Sequence, residues 1–71
     1  MEIINFSIVF NNETLSARIE VNDDECTLEK FVQIGGNWIN AADLAAKKML
    51  PLYVAIQKLP FVVKEGDIIS L

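Results

Sequence analysis

The sequence predicts an α+β domain in which an N-terminal β-hairpin, one or two helices and C-terminal strands form a mixed sheet. Three observations support this prediction: two alternating segments near the N-terminus, a threonine-led segment with helical spacing, and short apolar runs around Glu65-Gly66-Asp67. The chain has 71 residues. Such a length allows one domain, spanning residues 1–71, with a small core.

Two segments near the N-terminus alternate apolar and polar residues with the period of two that half-buried strands show. The apolar positions are Ile4, Phe6, Ile8 and Phe10 in the first segment and Leu15, Ala17, Ile19 and Val21 in the second. The intervening Asn11-Asn12-Glu13-Thr14 contains residues that tolerate a turn. We therefore expect an antiparallel hairpin with one packed face and one face in water.

The segment after the acidic run of residues 22–25 has the features of a helix start. Thr27 is a suitable N-cap, and Leu28, Phe31 and Val32 share one helical face. Cys26 and Phe31 have the spacing of a hydrophobic staple. Because glycine takes the left-handed cap conformation, Gly35-Gly36 is expected to end or bend this helix.

A second helix is expected to begin after Asn40 and to continue through residues 44–50 as far as Pro51. Two readings compete beyond the proline. Residues 52–58 alternate as a strand would, whereas the spacing of an apolar set predicts a helix through Pro51: Trp38, Ala42, Ala45, Met49, Leu52, Ile56 and Leu59. We favour the strand, because an internal proline costs a helix about 3 kcal/mol or more.

The C-terminal residues have the composition of two strand-like segments joined by a turn. Phe61-Val62-Val63 comes before Glu65-Gly66-Asp67, and residues 68–71 follow it. The glycine between two acidic residues favours a short turn. We therefore expect the chain to finish in the sheet.

The order strand, strand, helix, strand, final strand resembles that of β-grasp, or ubiquitin-like, domains. The residues that carry the resemblance are Met1-Glu2-Ile3-Ile4, Leu15 to Val21, Thr27 to Phe31, and Gly66-Asp67-Ile68-Ile69. Carrier members of that superfamily act through a C-terminal diglycine, whereas this sequence has Gly35-Gly36 in its interior. The resemblance therefore implies the non-covalent role of the fold, in which a sheet face or edge docks another protein.

Composition predicts an interaction surface. Apolar residues make up 52% of the chain, which exceeds the average of about 45 to 50% that includes glycine. A chain this short leaves part of that apolar surface exposed. Exposed apolar area commonly marks an interface, so we expect a homodimer or a protein partner.

Charge is distributed unevenly around a net charge of minus four. Residues 1–29 have a balance of minus six and residues 30–71 a balance of plus two. This asymmetry argues against direct binding of nucleic acid. It allows an alternative function, that of an acidic regulator or inhibitor occupying the basic cleft of a nucleic-acid enzyme.

Residue types predict no enzyme activity, cofactor or metal site. The chain has no histidine, the commonest general base and metal ligand. Cys26 is crowded by carboxylates that oppose thiolate formation. A single cysteine and the lack of a signal-like segment favour a reducing, cytoplasmic setting, and no apolar run reaches the roughly 18 residues of a membrane span.

The principal functional prediction is a non-enzymatic interaction module that self-associates or docks a partner through an apolar sheet face or strand edge. Tryptophan is the residue type most enriched at binding hot spots. Trp38 is therefore the first predicted contact residue, and Tyr53 and Phe61 could join it in one aromatic surface.

Overall fold

The computed structural model describes residues 1–59 and 62–71. Within these residues the chain forms five strands, a 3₁₀ turn and one α-helix. In chain order they are β1 (Glu2–Phe10), β2 (Glu13–Asn22), β3 (Thr27–Ile34), β4 (Asn37–Asn40), the 3₁₀ turn (Ala41–Asp43), α1 (Leu50–Gln57) and β5 (Ile68–Ser70).

The strands form one mixed sheet in the order β4-β3-β2-β1-β5. β1 to β4 form an antiparallel meander, and β5 pairs in parallel with β1, with Ile69 opposite Ile8. A parallel pair needs a crossover connection, and α1 lies within this one. The predicted α+β class with a mixed sheet is confirmed.

Two hairpins close through two-residue turns with positive φ at both central positions. Asn11 and Asn12 have φ of 51° and 64°, and Gly35 and Gly36 have φ of 58° and 82°. This is the signature of type I′ turns, for which asparagine and glycine are the preferred residues. The predicted N-terminal hairpin is confirmed, with Phe10 paired to Glu13.

The predicted helix starting at Thr27 is wrong, because residues Thr27–Ile34 form strand β3. Val32 lies opposite Ala17 on the packed face, while Phe31 lies opposite Arg18 on the other face. Threonine, phenylalanine, valine and isoleucine suit a strand, and eight residues are too few for periodicity alone to exclude one. Gly35-Gly36 accordingly forms a hairpin turn rather than a helix cap, and the expected staple from Cys26 to Phe31 does not form because Cys26 lies in an exposed turn.

The preferred strand over residues 52–58 is also wrong, because α1 runs from Leu50 to Gln57. Pro51 lies in the first turn of the helix, where its missing N–H has no helical partner to lose. The helical alternative therefore holds for its second half, and Leu52 and Ile56 are buried.

The second predicted helix shortens to a 3₁₀ turn. Asn40 is its N-cap, as predicted, and accepts a hydrogen bond of 3.0 Å from the Ala42 N–H. After this turn the backbone is no longer helical, and Lys48 has a φ of 61°, which a right-handed helix does not allow. Residues 44–48 are turns, so the predicted helix over residues 44–50 is not formed there.

At the C-terminus, the predicted final strand is confirmed as β5, and Glu65-Gly66 forms the predicted turn. Val62 and Val63 are not in a strand. Pro60 and Phe61 lie outside the described residues, so the prediction for Phe61 is untested.

The core lies between one face of the sheet and the segment of residues 41–59, and Val63 also contributes to it. Ile8, Val32 and Leu44 are fully buried at its centre. The other buried apolar residues are Phe6, Ala17, Ile19, Ala41, Leu52, Ile56 and Val63. We call this the core face of the sheet and the opposite side the open face.

Candidate functional site

Large apolar side chains are exposed in two neighbouring places, strand β5 at the edge of the sheet and helix α1 beside it. Ile68 is 72% exposed on β5, and Leu71 follows at 36%. On α1, Leu50 and Val54 are 55% and 44% exposed. These four residues form an exposed apolar surface, although the domain has few apolar residues in its core.

The backbone of β5 has an unpaired side. Ser7 N–H donates to the Asp67 carbonyl at 2.8 Å, and Leu71 N–H donates to the Val9 carbonyl at 2.9 Å. Because successive residues of a strand point their N–H and C=O groups to opposite sides, Ile69 faces β1, whereas Ile68 and Ser70 direct theirs away from the sheet. Within the described residues β5 has β1 as its sole neighbour, so this edge can accept another strand.

A groove of about 370 Å³ lies beside this edge. Pro51, Val54, Ala55 and Lys58 of α1 form one wall, and Ser70 and Leu71 form the other. The helix residues are spaced by three and four, so they share one stripe of α1. The edge therefore combines free backbone groups with an apolar groove, the pairing that strand addition uses for affinity and for side-chain selection.

The turn that precedes β5 holds this edge in place. The Asp67 carboxylate accepts a hydrogen bond of 2.9 Å from the Lys64 N–H, and Asp67 N–H returns one of 3.1 Å to the Lys64 carbonyl. Asn5 N–H donates to Glu65 Oε2, and Gly66 N–H donates to the Asn5 carbonyl, both at 2.8 Å. Since these bonds fix the start of β5 against β1, little ordering entropy remains to be lost on docking.

The open face carries an aromatic and cationic cluster. The Arg18 guanidinium carbon lies 4.8 Å from the centre of the Phe31 ring and 4.6 Å from that of the Trp38 ring. Arg18 Nε lies 2.9 Å from Glu20 Oε2, an ion pair whose N–H direction does not meet hydrogen-bond geometry. The guanidinium thus stacks with two rings and has its charge balanced by a neighbour on the same strand.

The structure does not bring the predicted aromatic residues together. Trp38 lies on the open face, 38% exposed, whereas Tyr53 is half-buried on α1 and packs against the core on the other side of the sheet. Phe61 lies outside the described residues. The common aromatic surface of Trp38 and Tyr53 is therefore not formed, and each residue's contact with a partner stays a prediction.

The sequence predicts a strand edge in general terms but does not single out the four exposed apolar residues Ile68, Leu71, Leu50 and Val54. One signal was available: Ile68-Ile69-Ser70-Leu71 contains no charge, proline or glycine, the features that natural edge strands use to prevent pairing. The position of this run at an edge follows from the parallel pairing of β5 with β1, which the sequence does not reveal.

Acidic residues gather at the far end of the sheet from the β5 edge. Asp23, Asp24 and Glu25 are exposed in the β2–β3 turn, and Glu20 and Glu29 are cross-strand partners close by. Asn22 Oδ1 orders this turn by accepting from the N–H groups of Asp24 and Glu25. The acidic turn of residues 23–25 is thus separated in space from the β5 edge.

Among the described residues, no cluster of acidic residues, histidine and cysteine has the arrangement of a metal site. Over the same part of the chain, no helix is both long enough and apolar enough to cross a membrane. No protein-family model, curated protein sequence or solved structure matches the chain.

Proposed function

We propose that the protein is a non-enzymatic interaction module that binds another polypeptide strand along the β5 edge. The observation that carries this proposal is the outward-facing backbone of Ile68 and Ser70 beside the apolar groove between α1 and β5. The role is the non-covalent one that the resemblance to β-grasp domains implies, and the family stays a prediction; the observed order of elements, with strand β3 at Thr27–Ile34, differs from the order on which that resemblance rests. A reducing, cytoplasmic location is part of the proposal and suits the free thiol of Cys26.

Backbone and side-chain terms both favour this edge. Each added ladder bond contributes about 0.5 to 1.5 kcal/mol net, which alone gives weak binding. Covering apolar side chains contributes roughly 25 cal/mol per Å², so the exposed Ile68, Val54 and Leu71 supply the larger share. Because the turn before β5 is already ordered, less of this energy is spent on fixing the edge.

Selection of short peptides tests the edge without any knowledge of the natural partner. We expect a library of displayed ten-residue random peptides, selected on the wild-type protein and counter-selected on Ile68→Lys, to yield sequences with alternating apolar residues. Ile68 is 72% exposed, so the lysine places a charge at the edge while leaving the core intact.

The binding position of the selected peptides decides the outcome. Peptides that shift the amide NMR signals of Ile68 and Ser70, and that bind normally to Leu28→Lys, support the proposal. Leu28 is a matched control, because it is also exposed and apolar but lies on β3. Peptides that instead shift the Trp38 indole signal would place the docking surface on the open face and contradict the proposal.

A second candidate is the acidic regulator, favoured by the gathering of Asp23, Asp24, Glu25 and Glu29 at one end of the sheet. Such a protein would hold a basic partner mainly by charge, so binding would weaken steeply between low and high salt. The affinity of a partner docked at the β5 edge would change little with salt, because backbone hydrogen bonds and apolar contacts hold that partner. A salt titration of any partner complex separates the two functions.

A further inference from the structure

We infer that the occupant of the β5 edge is a second copy of the same chain, paired antiparallel about a two-fold axis at Ile69. This inference rests on the proposed function and names its partner. It is carried by the symmetry of the free backbone groups, by the apolar stripe of α1 and by the distribution of charge.

The free backbone groups of β5 are self-complementary. In an antiparallel pair centred on Ile69, Ile68 of one copy lies opposite Ser70 of the other, and Ser70 lies opposite Ile68. Both residues direct N–H and C=O outward, so each opposed pair exchanges two hydrogen bonds. The two-fold axis generates two such pairs, and every outward group of Ile68 and Ser70 finds a partner.

The side chains that flank the edge match across the same axis. On the open face, Ile68 of each copy is covered beside Ser70 of the other, and on the core face the two Ile69 side chains become neighbours. Because the axis is perpendicular to the sheet, both α1 helices lie on the same side and run antiparallel. Their stripes, which contain Pro51, Val54 and Ala55, then face each other over the junction.

Charge opposes the pairing of two copies less at the β5 edge than at the acidic end of the sheet. The chain has a net charge of minus four, so two copies repel each other unless their acidic groups stay apart. The exposed acidic turn of residues 23–25 lies at the far end of the sheet. Glu65 and Asp67 come just before β5, but both carboxylates accept backbone hydrogen bonds and Lys64 is next to them in the chain. Lys58 is the charged residue lining the groove, and its stem can pack on apolar surface while the ammonium stays in water.

The available surface suits a modest interface. The chain exposes 4878 Å² in total, and a standard interface takes about 800 Å² from each partner. The edge and groove offer Ile68 and the six residues that line the groove, fewer than the roughly 20 to 30 residues a side of a standard interface. We therefore expect a dimer that dissociates at micromolar concentrations rather than an obligate one.

Sedimentation equilibrium over a wide concentration range tests the inference. We expect a mass that rises from 8.0 kDa toward twice that value and that changes little between low and high salt. Val54→Lys and Ile68→Lys should each weaken association at least tenfold, because like charges then face each other or enter the apolar junction. Leu28→Lys, the matched control far from β5, should leave the dissociation constant unchanged.

A second variant separates the backbone ladder from the side chains. Ser70→Pro removes an N–H that is free in the single copy, and proline is tolerated at an edge position that faces solvent. It should weaken the dimer while circular dichroism and the unfolding midpoint of the dilute protein stay close to wild type. An unfolded variant would be recognised by its spectrum, and Val54→Lys then decides the outcome.

Four results can overturn or narrow the inference. A wild-type mass of one chain at every concentration overturns it, and if selected peptides still bind at Ile68 and Ser70, the proposed function stands without self-association. If neither a second copy of the chain nor any peptide binds at the β5 edge, the inference and the proposed function both fail.

A dimer insensitive to the β5 variants but dissociated by Trp38→Ala would place self-association on the open face. A dimer lost at high salt would point to charge rather than the apolar edge.

Discussion

The two faces of the sheet pack their large side chains in different ways. The core face is covered by α1 and its flanking turns, and its buried residues are all apolar, with Ile8 and Val32 fully buried. The open face has no such cover within the described residues and instead organises its large side chains around Arg18, which stacks with Phe31 and Trp38. In a chain too short for a second core, a planar cation can order aromatic residues on a face that remains partly wet.

The largest effect should come from the core face. Ile8→Ala removes fully buried methyl groups at the centre of the core, so we expect a loss of about 2 to 5 kcal/mol in the free energy of unfolding. Urea denaturation followed by circular dichroism measures it. Ile3→Ala, a change at a 48% exposed position on the same strand, serves as the control and should cost much less. A comparable loss at Ile3 would show that the open face is buried in solution.

Alternation along β1 and β2 explains why the hairpin was predictable. Phe6 and Ile8 face the core while Asn5 and Ser7 do not, so the sequence pattern maps directly onto the two faces. Alternation does not identify β3 in the same way, because the ends of this strand are polar or exposed on both faces. Leu28, for example, is 55% exposed although it lies on the core face. A strand whose apolar positions are not all buried gives a mixed pattern, and a plausible cap at Thr27 then favours the wrong element.

The candidate site was less predictable than the fold, because it depends on pairing across the sequence. Trp38 meets Arg18 only once β3 lies between β4 and β2, and Ile68 becomes an edge residue only once β5 pairs with β1. Gly35-Gly36 is a local signal for the β3–β4 hairpin, whereas the pairing of β5 with β1 has no local signal in the chain. The sequence treats Pro51 as a residue that would interrupt a helix, whereas it lies in the first turn of α1. These two roles of proline differ only in where the helix starts, which the local sequence does not fix.

A smaller effect is expected on the open face. Arg18→Ala removes both cation–π contacts, each of which contributes about 0.5 to 1 kcal/mol at an exposed site. We therefore expect a loss of about 1 to 2 kcal/mol in the free energy of unfolding, with a change in Trp38 fluorescence. Arg18→Lys is the matched control: it keeps the charge and the stem but loses the stacking plane, so it should recover part of the stability. Full recovery by lysine would show that charge alone, not stacking, organises this face.

The hairpin that presents Trp38 offers a third test. Gly36→Ala introduces a Cβ that meets nothing within 4 Å, so its cost arises from the φ of 82° rather than from a clash. We expect a loss of about 1 kcal/mol and a weaker stack of Trp38 on Arg18. Gly36→Asn should be better tolerated, because asparagine takes positive φ more readily. Equal effects of alanine and asparagine would contradict the assignment of the cost to φ.

The smallest change in the free energy of unfolding is expected at Asn40, where the chain passes from the sheet into the turn that enters the core. Asn40 ends β4, and its two amide atoms serve different partners: Oδ1 accepts from the Ala42 N–H at 3.0 Å, and Nδ2 donates to Glu29 Oε2 at 2.8 Å. The first bond starts the turn that leads to the fully buried Leu44, and the second is exposed. Asn40→Ala should therefore cost about 0.5 to 1 kcal/mol, mostly from the lost cap.

Two substitutions separate these bonds in the same unfolding assay. Asn40→Ser keeps a cap acceptor and loses the donor to Glu29, so it should retain most of the wild-type stability. Asn40→Asp also keeps the acceptor but sets a carboxylate against Glu29, so its deficit should shrink as salt screens the repulsion. A serine variant as unstable as the alanine variant would assign the effect to the bond with Glu29. The connection between the faces would then depend on the open face rather than on the turn that enters the core.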